Sequence, residues 1–457
     1  MNRREMLALS GALAAATIAG CTGDGQSSAE TETASETTDT ATATATTDTP
    51  TEGPSDEPPT GEPSVDDERL AALAAGNAEF ALDLHRQVAS EQGGNQFLSP
   101  YSISVALAMT YAGARGATRE QMEATLHYTL GEDVHPAFAD LRAALEERET
   151  TRNPVDGGEA DAFRLAVANA LWGREGYAFS ADYLDRLDSN YGAGLRRADF
   201  AGDPDGERER INEWVADRTE GRIENLLPAG SVTPDTALVL TNAIYFMAQW
   251  ARTFDPEDTE DGRFTALDGG ESTVPLMRQE LKANYADLPS AQAVELPYLG
   301  QEVSMVLLLP DEGEFESYER NLNASRLFGV FEEMRERIGD VVLPRFEFET
   351  EVQLSEALSN LGMPAAFGSD ADFGRMAEGD GATLAIDEVF HKSFVSVDEE
   401  GTEAAAATGV VVESSLPPSW GELRFDRPFL FCIRDRPTDA ILFYGRVVDA
   451  GAAQGDD

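Results

Sequence analysis

Four histidines and two cysteines are all that this chain offers to metal or thiol chemistry. His85, His127, His135 and His391 lie far apart in sequence, and none has a His or Cys neighbour at zinc-ligand spacing. Cys432 sits in the apolar run RPFLFCIRD, where a thiol packs as a small hydrophobe. After the first twenty-one residues there is no G-x-S-x-G elbow, Walker-type loop, H-E-x-x-H or C-x-x-C. The GDGAT at 379–383 lacks the third glycine and the strand context of a dinucleotide loop. His391 lies amid Phe390, Phe394 and Val395. It therefore reads as a hydrogen-bonded core residue rather than an exposed base. No nucleophile, metal or cofactor chemistry is expected, and no enzyme.

The unusual stretch is VDEEGTEAAAATGVVVESSLPP, residues 397–418. Its alanines suit a helix and its valines a strand. Read as a strand, Thr402, Ala404, Ala406, Thr408, Val410, Val412 and Ser414 share one face, small and uncharged throughout. Glu403 and Glu413 fall on the other. No proline interrupts Gly401–Leu416, so every N–H is free to join a ladder. Taken alone, the segment reads as an exposed linker.

The surrounding elements are of two kinds. Helical periodicity runs through DERLAALAAGNAEFALDLHRQVA and LSPYSISVALAMTYAGA, the latter with Ser99 as cap and Pro100 in the first turn. Further helices are predicted near 118–126, 134–148, 180–191, 204–219, 324–336 and 353–361. Strands are predicted in FRLAVANALWG, ALVLTNAIYFM, AVELPYL, EVSMVLLLPD, VVLPRFEFETEV, FHKSFVSVDE, ELRFDRPFLFCI and ILFYGRVVDA. A helix-rich first part and a strand-rich second part imply an α+β fold with large, mainly antiparallel sheets. The stretch EERETTRNPVDGGEA, 146–160, reads as a surface loop.

Composition divides the chain further. Residues 1–21 read as an export signal: Arg3-Arg4 resembles a twin-arginine address, and Ile18-Ala19-Gly20-Cys21 a lipoprotein box that leaves lipid on Cys21. Residues 22–64 hold ten acidic and no basic residues, with eleven threonines between Thr31 and Thr51, as a solvated tether does. Residues 65–457 carry 73 acidic and 32 basic residues, an excess of 41 negative charges with only two lysines. Such a balance excludes phosphate-backbone binding as a default and suits a protein kept soluble in concentrated salt. Asn323-Ala324-Ser325 matches a glycosylation sequon.

NQFLSPYSISVALAMTYAGARGAT, INEWVADRTEGRIENLLP, LTNAIYFMAQWARTFDPEDT, VELPYLGQEVSMVLLLP, VDEEGTEAAAATG and the closing LRFDRPFLF and ILFYGRVVD together resemble the serpins, in that family's order. The resemblance implies a single serpin domain over 65–450, followed by an acidic tail, 451–457. It implies a metastable fold with a reactive loop whose hinge is Glu399, Gly401 and Thr402, followed by the small residues Ala404, Ala405, Ala406 and Ala407. Ser99, Ser102, Asn242 and His391 correspond to the polar cluster where the central sheet opens. Trp250 and Arg345 correspond to the point where the loop inserts, with Arg345 facing Glu399 in a partly exposed ion pair. Thr402 is expected to be exposed before cleavage.

The function so implied is suicide-type inhibition of a serine protease by a monomer with no catalytic residues or cofactor. The scissile bond is placed at Ser415–Leu416, alternatively after Ser414, and cleavage after Val412 or Leu416 is also open. With no Arg or Lys in the loop, the target is of elastase-like, chymotrypsin-like or subtilisin-like specificity. A non-inhibitory carrier or chaperone of the same fold is the alternative.

Overall fold

The computed structural model describes residues 65–152, 159–192, 194–377, 384–402 and 418–455. Nine α-helices lie among them: α1 (Val65–Gln92), α2 (Pro100–Tyr111), α3 (Gly116–Thr125), α4 (Val134–Arg148), α5 (Ala181–Tyr191), α6 (Pro204–Arg218), α7 (Phe315–Asn321), α8 (Ala324–Glu333) and α9 (Leu354–Leu361). The larger sheet runs in the order β1 (Gln96–Leu98), β17 (Ile441–Val447), β16 (Phe429–Asp435), β10 (Val303–Pro310), β9 (Ala291–Pro297), β8 (Glu271–Leu288), β11 (Arg335–Pro344) and β15 (Ser419–Arg424). A further strand, β7 (Glu260–Thr265), also pairs with β8. The second sheet has six strands, β12 (Phe346–Gln353), β13 (Glu388–Val397), β14 (Gly401–Thr402), β6 (Leu238–Gln249), β4 (Phe163–Arg174) and β5 (Arg196–Ala198). Pairing is antiparallel except between β4 and β5, β6 and β13, and β11 and β15. The fold is α+β, as the segment order implied.

Helix α2 is the element on which the six-stranded sheet rests. Ser99 caps it, its Oγ accepting the Ser102 N–H at 3.2 Å, and Pro100 starts the first turn where no backbone donor is needed. Every residue of α2 except Val105 is buried. A helix apolar on all sides has no solvent face to keep, so it lies inside, packed on β4, β6 and β17. This packing places Ser99 and Ser102 directly against the six-stranded sheet.

Among the segments that differ from the sequence reading, three stand out. Strand β8 is eighteen residues long and was not foreseen. It does alternate, burying Met277, Gln279, Leu281 and Ala283 between exposed Arg278, Glu280 and Lys282. Its buried set is diluted by Gln279 and Ala283, which blurs the period-two signal. Within 146–160, β2 (Thr150–Arg152) and β3 (Glu159–Asp161) pair as a small antiparallel ladder instead of forming a plain loop. Residues 451–455 are not a free tail: Ala453 is buried, and Gln454 donates to the carbonyls of Arg345 and Ala450.

Candidate functional site: the opening between two central strands

Strands β6 and β13 run parallel and pair directly over seven residues, Val239–Tyr245 against Glu388–Phe394. Beyond Phe394 they part. Into the gap comes β14, antiparallel to both, with Gly401 opposite Gln249 and Thr402 opposite both Ala248 and Val397. Gly401 and Thr402, within the segment of mixed preference, already stand as a wedge between two strands.

The turn that delivers them is tight. Asp398 Oδ1 accepts the N–H groups of Glu400 at 2.8 Å and Gly401 at 3.1 Å, and the Asp398 N–H returns to the Gly401 carbonyl at 3.0 Å. Gly401 is required by close approach: a Cβ there would press on the Ala248 carbonyl and stand 2.8 Å from the Gln249 Cα. Thr402 is fully buried, and its hydroxyl meets the Tyr298 hydroxyl at 2.8 Å. The expected exposure of Thr402 is therefore corrected. The absent Gly401 side chain and the waiting Tyr298 hydroxyl let the hinge sink into the sheet while the chain is intact.

Glu399 is also buried. Arg345 grips its carboxylate at both oxygens, Nε at 2.9 and 2.8 Å and Nη2 at 2.6 Å, and the Thr259 hydroxyl donates as well. Burial pushes this carboxyl up, but Arg345 and Thr259 outweigh it and hold it below the usual carboxylate range. The pair is one-sided: the Arg345 side chain keeps 43% of its surface while that of Glu399 keeps 6%. Trp250 closes the roof. Its indole donates to the Asp398 carbonyl at 3.0 Å, its ring stacks on Tyr298 at 4.6 Å, and its backbone N–H donates to Glu400.

Lower on the same strands lies a neutral cluster. His391 and Asn242 are register partners, with His391 Nδ1 2.5 Å from Asn242 Oδ1. Asn242 Nδ2 donates to Ser102 Oγ at 2.7 Å and to Asn169 Oδ1 at 2.6 Å, so its oxygen accepts and His391 Nδ1 carries the hydrogen. Nε2 then accepts the Ser99 N–H at 3.4 Å. Ser99 Oγ donates to the Leu442 carbonyl at 2.7 Å, and Ser102 Oγ donates to Asn169 Oδ1 at 3.0 Å. Burial pushes the His391 ring down to about 3, so it is neutral throughout the ordinary pH range. Fully buried and with both ring nitrogens engaged, this imidazole is out of reach of a substrate.

The structure thus gathers Ser99, Ser102, Asn242 and His391 at one point, and Trp250, Arg345, Glu399, Gly401 and Thr402 at another. Ala404, Ala405, Ala406, Ala407, Ser414, Ser415, Leu416 and Cys21 lie outside the described residues. Three partners were missed by sequence reasoning: Asn169, Tyr298 and Thr259. An amide inside FRLAVANALWG was the available signal for Asn169, since a polar side chain on a buried strand needs a partner. Nothing local marked the other two. Cys432 is buried, its thiol pushed up to about 12 by desolvation, and is inert packing. Among the described residues, no three His, Cys, Asp or Glu side chains are grouped to hold a metal ion.

Comparison with known proteins agrees with this geometry. The family model "Serpin (serine protease inhibitor)" matches residues 75–450. The chain belongs to the serpin family. It is 40% identical over 373 residues to an "Uncharacterized serpin-like protein" of Thermococcus kodakarensis, covering 81% of this chain and 84% of that one. It is 39% identical over 386 residues to the "Leukocyte elastase inhibitor" of Sus scrofa, covering 82% and 98%. The solved structure of human thyroxine-binding globulin complexed with thyroxine superposes with a TM-score of 0.72 at 28% identity, covering 84% of this chain and 99% of that one.

Proposed function

We propose that this chain is a suicide-substrate inhibitor of an extracellular serine protease, acting by cleavage of the segment after Thr402 and its insertion between β6 and β13. The observation that carries the reading is the Gly401–Thr402 wedge, already antiparallel to both strands. Extending its register would set Ala404 against Phe246 and Val395, Ala406 against Ile244 and Ser393, and Thr408 against Asn242 and His391. Every buried position of the inserting strand is then small, as a strand squeezing into a packed sheet requires. Insertion exchanges seven parallel β6–β13 pairs for two antiparallel ladders, the slightly stronger pairing. With Thr402 already paired, residues 403–415 would add about 43 Å of strand at roughly 3.3 Å per residue, enough to carry an acyl-linked protease far across the inhibitor.

The target serine attacks the loop at Ser415–Leu416, or after Ser414, and the acyl ester is carried off before water reaches it. Incubation with subtilisin-type and elastase-type proteases tests this. A complex that survives denaturant, with loop fragments whose mass fixes the bond, is expected. Clean cleavage without a complex would instead favour the carrier reading, for which the thyroxine-bound relative is the supporting observation. The protein is further proposed to act as a monomer at the outer face of the membrane, lipid-anchored through Cys21. Cys21→Ser should release it folded into the medium; retention in the membrane fraction would defeat the anchor. Its acidity is read as adaptation to concentrated salt, and equal stability at low and molar salt would refute that.

A further inference from the structure

A cleft of about 1220 Å³ opens away from β6 and β13, between the start of α4, helix α5 and the segment 374–377. Glu132, in the short turn Gly131–Asp133 ahead of α4, reaches into it. Its carboxylate accepts from Arg375 Nη1 at 2.9 Å, pairs with Arg186, and faces Arg119 Nη1 at 3.0 Å. Three guanidiniums from three separate parts of the chain converge on one carboxylate, leaving two positive charges over. Arg115 adds a third, against Asp182 and Asp185 lining the α5 side. In a chain of net charge −50, such a local surplus is out of character.

The second observation concerns donors with nothing to donate to. His135 lines the same cleft with its side chain only 2% exposed, and its Nδ1 is 2.6 Å from the Tyr191 hydroxyl. In the tautomer where the Tyr191 phenol donates to Nδ1, the hydrogen sits on Nε2, and that N–H has no partner among the described residues. The Glu132 Oε2 is 4.0 Å away, too far for a hydrogen bond. Among the described residues Arg119 Nη1 also lacks a hydrogen bond, because its approach to Glu132 is poorly aligned. A carboxylate has two oxygens, and of the four donor groups around this one only Arg375 and Arg186 are served. A buried donor left unmade is costly, so the arrangement is that of a site whose acceptor is too small.

We propose that this cleft binds a small multivalent oxyanion of the phosphate or sulfate class in place of the Glu132 carboxylate. A tetrahedral dianion brings four acceptor oxygens for Arg119, Arg186, Arg375 and the His135 Nε2–H, and its second charge answers the surplus. Glu132 can leave: its side chain is half-exposed, and its turn begins at Gly131, whose φ of +59° favours glycine. The site is independent of the inhibitory reading.

Isothermal titration of the folded chain with sodium phosphate, against sodium chloride at matched ionic strength, tests the site. Phosphate and sulfate should give saturable heat where chloride gives none. Removing the resident competitor by Glu132→Gln should tighten phosphate binding by about tenfold, and Arg375→Gln should weaken it by about tenfold, one charge-assisted contact in each case. Should Glu132→Gln fold poorly, the wild type and Glu132→Asp decide the matter. Equal affinity in all variants would overturn the proposal, as would phosphate that gives no more heat than chloride. Binding only of a long sulfated polymer, unaffected by Arg375→Gln, would place anion recognition elsewhere and overturn it too.

Discussion

The cluster around His391 and the turn around Glu399 share strands β6 and β13, yet different physics holds each closed. Around His391 every group is neutral and all but the half-buried Asn169 are enclosed, and closure rests on a chain of amide, hydroxyl and imidazole hydrogen bonds. Around Glu399 it rests on a bidentate ion pair with one side chain sealed and the other at the surface. A neutral network loses little in salt and much when one member is deleted, because the rest are stranded without water. An ion pair half in solvent is screened and partly replaceable by water. The lower site is therefore a lock of fixed strength, and the upper one responds to its surroundings.

The largest effect should come from Thr402→Arg. Because Thr402 is buried in the intact protein, the substitution strains the wedge itself besides opposing insertion, at several kcal/mol for an unpaired buried cation. Both a lower first unfolding midpoint and loss of the denaturant-stable protease complex are expected, with Glu403→Arg, of opposite parity, much milder. Unchanged trapping by Thr402→Arg would break the comparison at its root. Next comes Asn242→Ala, which leaves the His391 Nδ1–H without its acceptor and frees Ser102 and Asn169. A loss of about 1–6 kcal/mol is expected, one to two stranded groups at about 1–3 kcal/mol each, read from denaturant unfolding at constant pH. A loss no larger than that of a surface substitution would mean the network is not what shuts the strands.

Titration separates the sites further. The unfolded chain protonates His391 below its ordinary value of 6.5, whereas the folded protein resists until about 3. Its contribution is intact above 6.5 and falls by about 1.4 kcal/mol per pH unit through that window. His135, pushed down to about 4 by burial, and His85, also lowered by burial, share the window. The measurement is therefore the difference in slope between wild type and His391→Gln between pH 6 and 4, which should be shallower in the variant. Glu399, held below its ordinary 4.5, contributes stability that is complete above 4.5 and lost only as pH falls further. The smallest effect is the Arg345–Glu399 coupling, about 1 kcal/mol in a double-mutant cycle with Arg345→Met and Glu399→Gln, and smaller in molar salt. A coupling indifferent to salt would remove the contrast drawn between the two sites.

Much of this was legible in the sequence, but unevenly. Ser99-Pro100 announced a capped helix start, and helices 134–148 and 204–219 fall within a residue of α4 and α6. Of the small, uncharged face that begins at Thr402, the described residues show Thr402 alone between two strands. Tyr298 and Thr259 were illegible because each completes the site from a strand end or turn more than a hundred residues from Thr402 and Glu399. A lone Tyr or Thr there carries no period to betray its role. The burial of Thr402 was missed for a related reason. Local composition describes what a segment can do in either setting, and only the Ala248 and Tyr298 surroundings decide which one it occupies.

The four-residue turn Asp398–Gly401 also bears on the rate of strand insertion. Pairing a new strand is slow at its nucleus, where a loop must be closed before any rung repays the lost chain entropy, and fast in propagation afterwards. Here the nucleus exists in the uncut molecule: Asp398 has closed the loop and Thr402 supplies the first rung on both sides. On the proposed mechanism, insertion is then propagation alone, its pace set by how readily β6 unzips from β13. A chain cut anywhere beyond Thr402 keeps that rung, so the position of the cut changes how far the strand can run and not where it begins.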